Sequence, residues 1–262
     1  MPWNPEIYNQ FKAIRFQPFF DLSDLIQNKG SMKCIDLGCG TGEQTGLLAE
    51  KFPDADFTGI DASIEMLKNS SKLEHSRLRF RNSTTEEILE GGNNWDLIFS
   101  NAALQWSDNH TELIPGLIRK LNPGGQLAVQ MPYQPGNILN VLLAELASEE
   151  PYCSQLGGWN RESSVLTLDA YTQLMFDNGL ENLNLFQKVY PIVAPDVETL
   201  FNFISGSALI PYLEKLNSDQ AKVFCDAFRQ KIAGHFTQFP AVYPFKRLLL
   251  YGRKGETPVQ NN

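Results

Sequence analysis

The chain is poor in the residues that bind metals or staple extracellular folds. Four cysteines and three histidines are spread over 262 residues. Cys34, Cys39, Cys153 and Cys225 form no C-x-x-C pair, and no ligand spacing joins them to a histidine, so neither a metal site nor a disulfide framework is expected. Long apolar runs are missing as well; none approaches the roughly 20 residues a membrane helix needs. The opening, Met1-Pro2-Trp3-Asn4-Pro5-Glu6, lacks the basic end and apolar stretch of a secretion signal. Positive charge is in deficit, with 22 Lys plus Arg against 30 Asp plus Glu and a net charge of −8. Neither nucleic acid nor a membrane is therefore an expected partner. A chain 42% hydrophobic and without those features reads as a reduced, cytoplasmic globular protein, expected as a monomer.

What is present is alternation. Lys33–Leu37 is a short apolar run ending in glycines, and Gly42–Phe52 then has helical spacing, with Leu47, Leu48 and Phe52 on one side. Asp56–Asp61 reads as a strand, Ser63 as a helix cap, Arg77–Asn82 and Trp95–Ser100 as further strands. Glu112–Leu121 repeats apolar residues at helical spacing and stops at a turn, Asn122-Pro123-Gly124-Gly125, before a strand over Gln126–Met131. Strands alternating with helices imply an α/β fold with a doubly wound, mostly parallel sheet. Beyond Pro132 helices dominate: 138–147, 168–178 with Gly179 as a stop, and most of 196–235. A strand is expected over 183–189, and a last edge strand over 246–253. The expected organisation is an N-terminal helical lid over 1–30, a cofactor-binding core over 31–135, a helical lobe over 136–245, and a final strand with a frayed tail over 246–262. All four belong to one folded domain, because the last strand follows the helices.

The chemistry concentrates in Ile35-Asp36-Leu37-Gly38-Cys39-Gly40-Thr41-Gly42. Glycines closing a strand and opening a helix expose bare backbone and unpaired N–H groups to a ligand. The spacing G-x-G-x-G departs from the nicotinamide fingerprint, which needs glycine where Glu43 stands, and no Lys-Ser/Thr follows as in a P-loop. A carboxylate at that turn disfavours a pyrophosphate. Asp61, at the end of the next strand, is placed to accept both hydroxyls of a ribose, or else to cap the helix after Ser63. Asp36 either orients the loop or meets a cationic group.

The series IDLGCGTG, TGID, WDLIFSNAALQW and LNPGGQLAVQMP resembles the class I S-adenosylmethionine-dependent methyltransferases over residues 30–132. Within that family the opening WNPEIYNQFKAIRFQP, the SNAALQW segment and the VQMP strand end are most similar to a branch that esterifies a carboxylate of a small tricarboxylic acid. The resemblance implies a Rossmann-like sheet of seven strands with a helical cap. It also implies S-adenosyl-L-methionine as cofactor, S-adenosyl-L-homocysteine as product, and no metal. Asp36, Gly38, Cys39 and Gly40 would surround the methionine moiety, and Arg15 its carboxylate. Asp61 would hold the ribose, with Ala62 and Met66 lining the adenine. Thr84 stands where family members commonly place an aspartate for the adenine amino group, flanked by Ser83 and Thr85. Asn101 and Ala102 would run past the sulfonium, while Gln105, Trp106 and Tyr8 would position the acceptor.

A carboxylate acceptor is already ionised near neutral pH, so its methylation needs alignment and exclusion of water and no general base. Candidate groups for a polyanionic acceptor are Arg161, Tyr212, His235, Tyr243, Lys246 and Arg247. Members of the tricarboxylate branch carry an arginine where Ile210 stands, and Ile210 with Phe201, Phe203, Leu209 and Phe224 points to a less charged acid. Trp3, Tyr8 and Phe11 mark an N-terminal helix, with a bend allowed at Pro18, as a lid over the cofactor or else as a helix packed against the sheet. The competing readings are methylation of a phenol, amine or carbon centre, and a non-catalytic scaffold that keeps the cofactor fold.

Overall fold

The structure, a computed structural model, describes residues 12–256, with side chains from Phe16 onward. Seven strands form one sheet in the order β3-β2-β1-β4-β5-β7-β6. Strands β1 (Lys33–Leu37), β2 (Asp56–Asp61), β3 (Leu78–Asn82), β4 (Trp95–Asn101) and β5 (Leu121–Pro132) run parallel. Strand β7 (Ala241–Lys254) pairs antiparallel with β5, and β6 (Leu180–Ala194) lies at the edge beyond it. The order reverses between β1 and β4. In such sheets the carboxyl ends of the strands at this reversal are the usual ligand position.

By clustering of its contacts the chain divides into two compact units. Of the described residues, the sheet unit comprises 17–132, 164–188 and 247–256. Residues 164–188, expected within one helical lobe of 136–245, thus group with the sheet. Helix α1 (Lys12–Ser23) contributes Phe19 and Leu22 to a core with Cys34, Phe57, Phe99, Ala128 and Leu249. Helix α2 (Glu43–Lys51) adds Leu48 and Ala49, the side its sequence spacing marks as apolar. Pro18 stands inside α1. The remaining helices of the unit are α3 (Ile64–Leu67), α4 (Thr85–Glu90), α5 (His110–Arg119) and α8 (Leu168–Asp177).

Of the described residues, the helical unit comprises 12–16, 133–163 and 189–246. It contains α6 (Ile138–Ser148), α7 (Tyr152–Gln155), α9 (Val197–Ser205), α10 (Ile210–Leu213) and α11 (Ser218–His235). Local capping sets two of these helices. Asp196 accepts the Thr199 N–H at 2.8 Å before α9, and Asn217 with Gln220 forms a capping box at α11. Leu143, Leu146, Phe201, Phe203, Phe224 and Phe228 meet in its core. No helix among the described residues is long and apolar enough to cross a membrane.

Three expectations need correction. The last strand is an interior one: β7 lies between β5 and β6, so Leu248-Leu249-Leu250-Tyr251 are buried on both faces. A continuous apolar run is the mark of such a strand. Strand β6 extends over 15 residues and is itself the edge. The Asn122–Gly125 turn does not precede β5 but interrupts it: Trp95 pairs with Leu121 and Leu97 with Gln126, so the Pro-Gly-Gly stretch bulges out, with Gly124 at φ 72°.

Candidate functional site

The glycine turn is built by backbone that only glycine adopts without strain. Gly38, Gly40 and Gly42 have φ of 74°, 57° and 80°. The Gly38 and Cys39 N–H groups donate to the Ile60 carbonyl at 2.9 and 2.8 Å, tying the turn to the end of β2. A Cβ on Gly38 would stand 2.2 Å from the Ala103 Cβ. The turn and the segment after β4 therefore touch, backbone to methyl. Gly42 begins α2 without a side-chain cap, which leaves first-turn N–H groups for a ligand.

Asp61 joins the two strand ends. Its Oδ2 accepts the Gly40 N–H at 2.9 Å and its Oδ1 the Ser63 N–H at 2.8 Å. The cap of α3 is Ser63, whose Oγ accepts the Met66 N–H at 3.3 Å. Asp61 is only half-buried, and each carboxylate oxygen keeps a further lone pair for a hydroxyl. Asn82, which the sequence reading passed over, fastens this corner by donating to the Asp61 and Ala62 carbonyls at 2.9 Å each. Ala62 is exposed, and Met66 lies with its Cε 3.3 Å from where a Gly40 Cβ would be.

Asp36 is 2% exposed and accepts the Thr45 hydroxyl at 2.6 Å. Burial pushes its pKa up to about 7; the Thr45 bond opposes that, and the Asp61 charge adds to it. The Cys39 thiol beside it is pushed up by burial and by both carboxylates, so Cys39 serves the turn as a small buried residue and not as a nucleophile.

Residues 83–85 cap a helix. Thr84 Oγ1 accepts the Glu87 N–H at 3.2 Å, and Glu87 Oε2 accepts from the Thr84 N–H at 3.1 Å and the Ser83 hydroxyl at 2.6 Å. Those two bonds, Ser83 first, hold the Glu87 carboxyl below its usual range. Thr85 begins α4. The Thr84 oxygen keeps one lone pair beyond its capping role.

The segment after β4 turns sharply at Ala102, which has φ 57° and donates its N–H to the Gln130 carbonyl at 2.8 Å. Asn101 Nδ2 donates to Gln44 Oε1 at 2.8 Å, while Asn101 Oδ1 is buried and meets no donor among the described residues. Gln105 is buried and braces the turn, its Nε2 donating to the Ala102 carbonyl at 2.7 Å. Trp106 is 41% exposed. Beneath them lies a pair the sequence reading missed: His110 Nε2 bonds the Leu104 carbonyl at 2.9 Å, and His110 Nδ1 lies 2.5 Å from the Tyr171 hydroxyl. A carbonyl only accepts, so the Nε2–H tautomer is required, and Nδ1 accepts the Tyr171 proton. The Tyr171 oxygen in turn accepts the Leu166 N–H at 3.2 Å. Burial pulls the His110 pKa down, against the Leu104 and Ser107 backbone bonds and the Asp108 charge.

Tyr8 lies outside the described residues, as does the Trp3–Phe11 lid, and Arg15 is described only by its backbone position in α1. Phe201, Phe203, Leu209 and Phe224 are interior to the helical unit. Ile210 is 42% exposed at the start of α10. Tyr212 bonds Asn160 Oδ1 at 2.7 Å, Tyr243 is buried, Lys246 donates to the Gly136 carbonyl at 2.7 Å, and His235 is exposed at the end of α11. The Arg161 N–H donates to Asn160 Oδ1 at 2.8 Å, and Arg247 is buried in β7.

The residues present fit an adenosyl sulfonium ligand. The Gly38 and Gly40 backbone is bare, the Asp61 carboxylate has capacity for a diol, and a buried carboxylate and the Asn101 oxygen stand nearby for an ammonium. Among the described residues no group of His, Cys, Asp and Glu is gathered to hold a metal.

A family model described as "Methyltransferase domain" matches residues 28–184. A Deinococcus radiodurans protein named trans-aconitate 2-methyltransferase is 38% identical over 262 residues, covering 98% of this chain and 100% of that one. The protein of the same name from Escherichia coli is 31% identical, covering 97% and 99%. Among solved structures, the YcgJ protein of Bacillus subtilis matches with a TM-score of 0.58 at 18% identity, covering 92% of this chain and 99% of that one.

Proposed function

Because the chain belongs to the trans-aconitate 2-methyltransferase family of S-adenosylmethionine-dependent methyltransferases, we propose that it transfers a methyl group to a carboxylate of a small organic acid. The observation that carries this reading is the Asp61 corner. A carboxylate fixed by two backbone N–H groups joins the glycine turn to β2 and retains two lone pairs for a ribose diol. Asp36 and Asn101 would take the ammonium of the methionine moiety, Met66 and Ala62 would cover the adenine, and Thr84 would reach its amino group. When bound, S-adenosylmethionine supplies an electrophilic methyl carbon on a positively charged sulfur.

The chain's own residues supply position. The Gly38–Ala103 contact and the Gln105–Ala102 bond hold the segment after β4 against the glycine turn, and Trp106 would face the acceptor. A carboxylate is ionised at neutral pH without help, so no side chain has to remove a proton. The work is alignment and exclusion of water. The four free cysteines support a reducing compartment, and we read the protein as cytoplasmic, monomeric and active on a diffusible acid.

Incubation with methyl-labelled S-adenosylmethionine and a panel of di- and tricarboxylic, fatty and terpenoid acids tests the reading. The expected product loses its label in mild alkali, as an ester does. A label that survives alkali would assign the methyl group to nitrogen, carbon or ether oxygen.

A further inference from the structure

The chain has three histidines; His75 and His235 are exposed, while His110 is 1% exposed. Methyl transfer to a carboxylate gives that ring no proton to move, so its burial needs another reason. An apolar side chain would fill the same space without the cost of desolvating an imidazole. What the imidazole adds is direction.

That direction is fixed from two sides, both within the sheet unit. On one side His110 Nε2–H donates to the Leu104 carbonyl at 2.9 Å. On the other the hydroxyl of Tyr171, fully buried on α8, donates to His110 Nδ1. The Tyr171 oxygen accepts the Leu166 N–H at 3.2 Å and lies 3.6 Å from Met131 Sδ on β5. Nδ1 accepts only when Nε2 carries the ring proton, so the tyrosine selects the tautomer that the carbonyl needs. Burial holds the ring below its ordinary pKa, which keeps it neutral at pH 7 with both bonds in place.

The carbonyl belongs to the three-residue turn Leu104–Trp106. Around it the Trp106 N–H donates to the Ala103 carbonyl at 3.0 Å, the Ser107 N–H to the Leu104 carbonyl at 2.9 Å, and Gln105 Nε2 to the Ala102 carbonyl at 2.7 Å. Those bonds shape the turn from within residues 102–107. The His110 bond instead ties it to the start of α5, and through Tyr171 to α8. Asn109, at φ 49°, leads the chain into α5 and brings His110 back onto the turn.

We propose that His110, held by Tyr171, is a positioning residue for the methyl acceptor: it fixes the Leu104–Trp106 turn and so the place of Gln105 and Trp106 beside the acid. This rests on the carboxylic-acid reading above. The ring touches neither reactant and acts through the Leu104 carbonyl.

Two substitutions divide the bonds of the ring between them. A glutamine amide reaches as far as Nε2, so His110→Gln keeps the Leu104 bond and gives up the Tyr171 bond. An asparagine amide reaches only as far as Nδ1, so His110→Asn does the reverse. The full chain is assayed by hydrogen exchange at the Trp106 and Ser107 amides, by titration with S-adenosylhomocysteine, and by steady-state methylation of trans-aconitate or whichever acid of the panel above wild type esterifies fastest. In His110→Asn those two amides exchange about tenfold faster, the scale of one lost hydrogen bond. Its kcat falls about 10- to 100-fold, the scale for a positioning group displaced by about 1 Å. His110→Gln stays within about threefold of wild type in exchange and kcat, and both variants bind S-adenosylhomocysteine within about threefold of wild type.

Each variant loses one buried bond and some Tm, so a histidine that only stabilises the fold would lower kcat alike in both, and that result overturns the proposal. So would an unchanged kcat in His110→Asn, or a loss of S-adenosylhomocysteine affinity that parallels the loss of kcat. Where His110→Asn does not fold, Tyr171→Phe takes its place: it unpins the ring, its kcat is expected between wild type and the His110→Asn range, and an unchanged kcat there overturns the role of the pair. The reading and the inference fail separately. A wild type that forms no alkali-labile product from any acid of the panel removes the carboxyl reading and the acceptor role with it. Ester formation equal in wild type and His110→Asn removes the positioning role alone.

Discussion

Replacing Asp61 with alanine separates a ligand-binding carboxylate from a turn-fastening one. In the free protein the side chain accepts two backbone protons, from Gly40 and Ser63. The corner is only half-buried, so water replaces much of that interaction and the fold loses about 1 kcal/mol. On the proposed reading the carboxylate also accepts two ribose hydroxyls when the adenosyl ligand is bound. Losing those costs a further 1–3 kcal/mol or so, about a 5- to 150-fold weaker Kd. Isothermal titration with S-adenosylhomocysteine reads the second quantity, and thermal unfolding of the free protein reads the first. Asp61→Asn tests the charge, since its amide must turn an N–H toward one of the two backbone donors. A variant with lowered Tm and unchanged S-adenosylhomocysteine affinity would refute the ribose role and reduce Asp61 to a structural strap.

Three further outcomes follow from the same geometry. Gly38→Ala forces an L side chain to φ 74° and its methyl to 2.2 Å from Ala103 Cβ; it costs at least about 2 kcal/mol, and Ala103→Gly in the same chain restores part of the Tm. The Asp36 pKa of about 7 lies above its unfolded value of 3.8, so the folded state holds the extra proton and stability falls as pH rises from about 4 to 7; Asp36→Asn flattens that part of the Tm–pH curve and weakens S-adenosylhomocysteine above pH 7. The His110 pKa is lowered, so its contribution is complete above about 6.5 and is lost as pH falls below that; Tyr171→Phe strands His110 Nδ1 and the Leu166 N–H at a cost of about 2 kcal/mol, read by chemical denaturation.

The elements of the proposed donor side were legible in the sequence because their signals are local. Gly38, Gly40 and Gly42 lie within one turn, and Asp61 ends the very next strand, so spacing alone carries the inference. Thr84-x-x-Glu87 is also a local signal, a capping box, legible in the spacing of the two residues. The rest depends on partners remote in the chain. His110 and Tyr171 are 61 residues apart, a distance at which no periodicity speaks. The interior place of β7 was partly written in the unbroken Leu248–Tyr251 run, which alternation with polar residues would have contradicted. The bulge at Asn122–Gly125 was hidden because Pro-Gly-Gly ends most strands, and here the flanking pairs Trp95–Leu121 and Leu97–Gln126 close around it.

The most direct measurement is a crystal structure of the protein with S-adenosylhomocysteine bound. The expected map places the ribose diol on the Asp61 carboxylate, the homocysteine over Gly38 to Gly40, and its ammonium toward Asp36 and Asn101. A nucleoside lodged elsewhere, or a glycine turn that stays bare at saturating ligand, would contradict the assignment of this corner as the methyl-donor site.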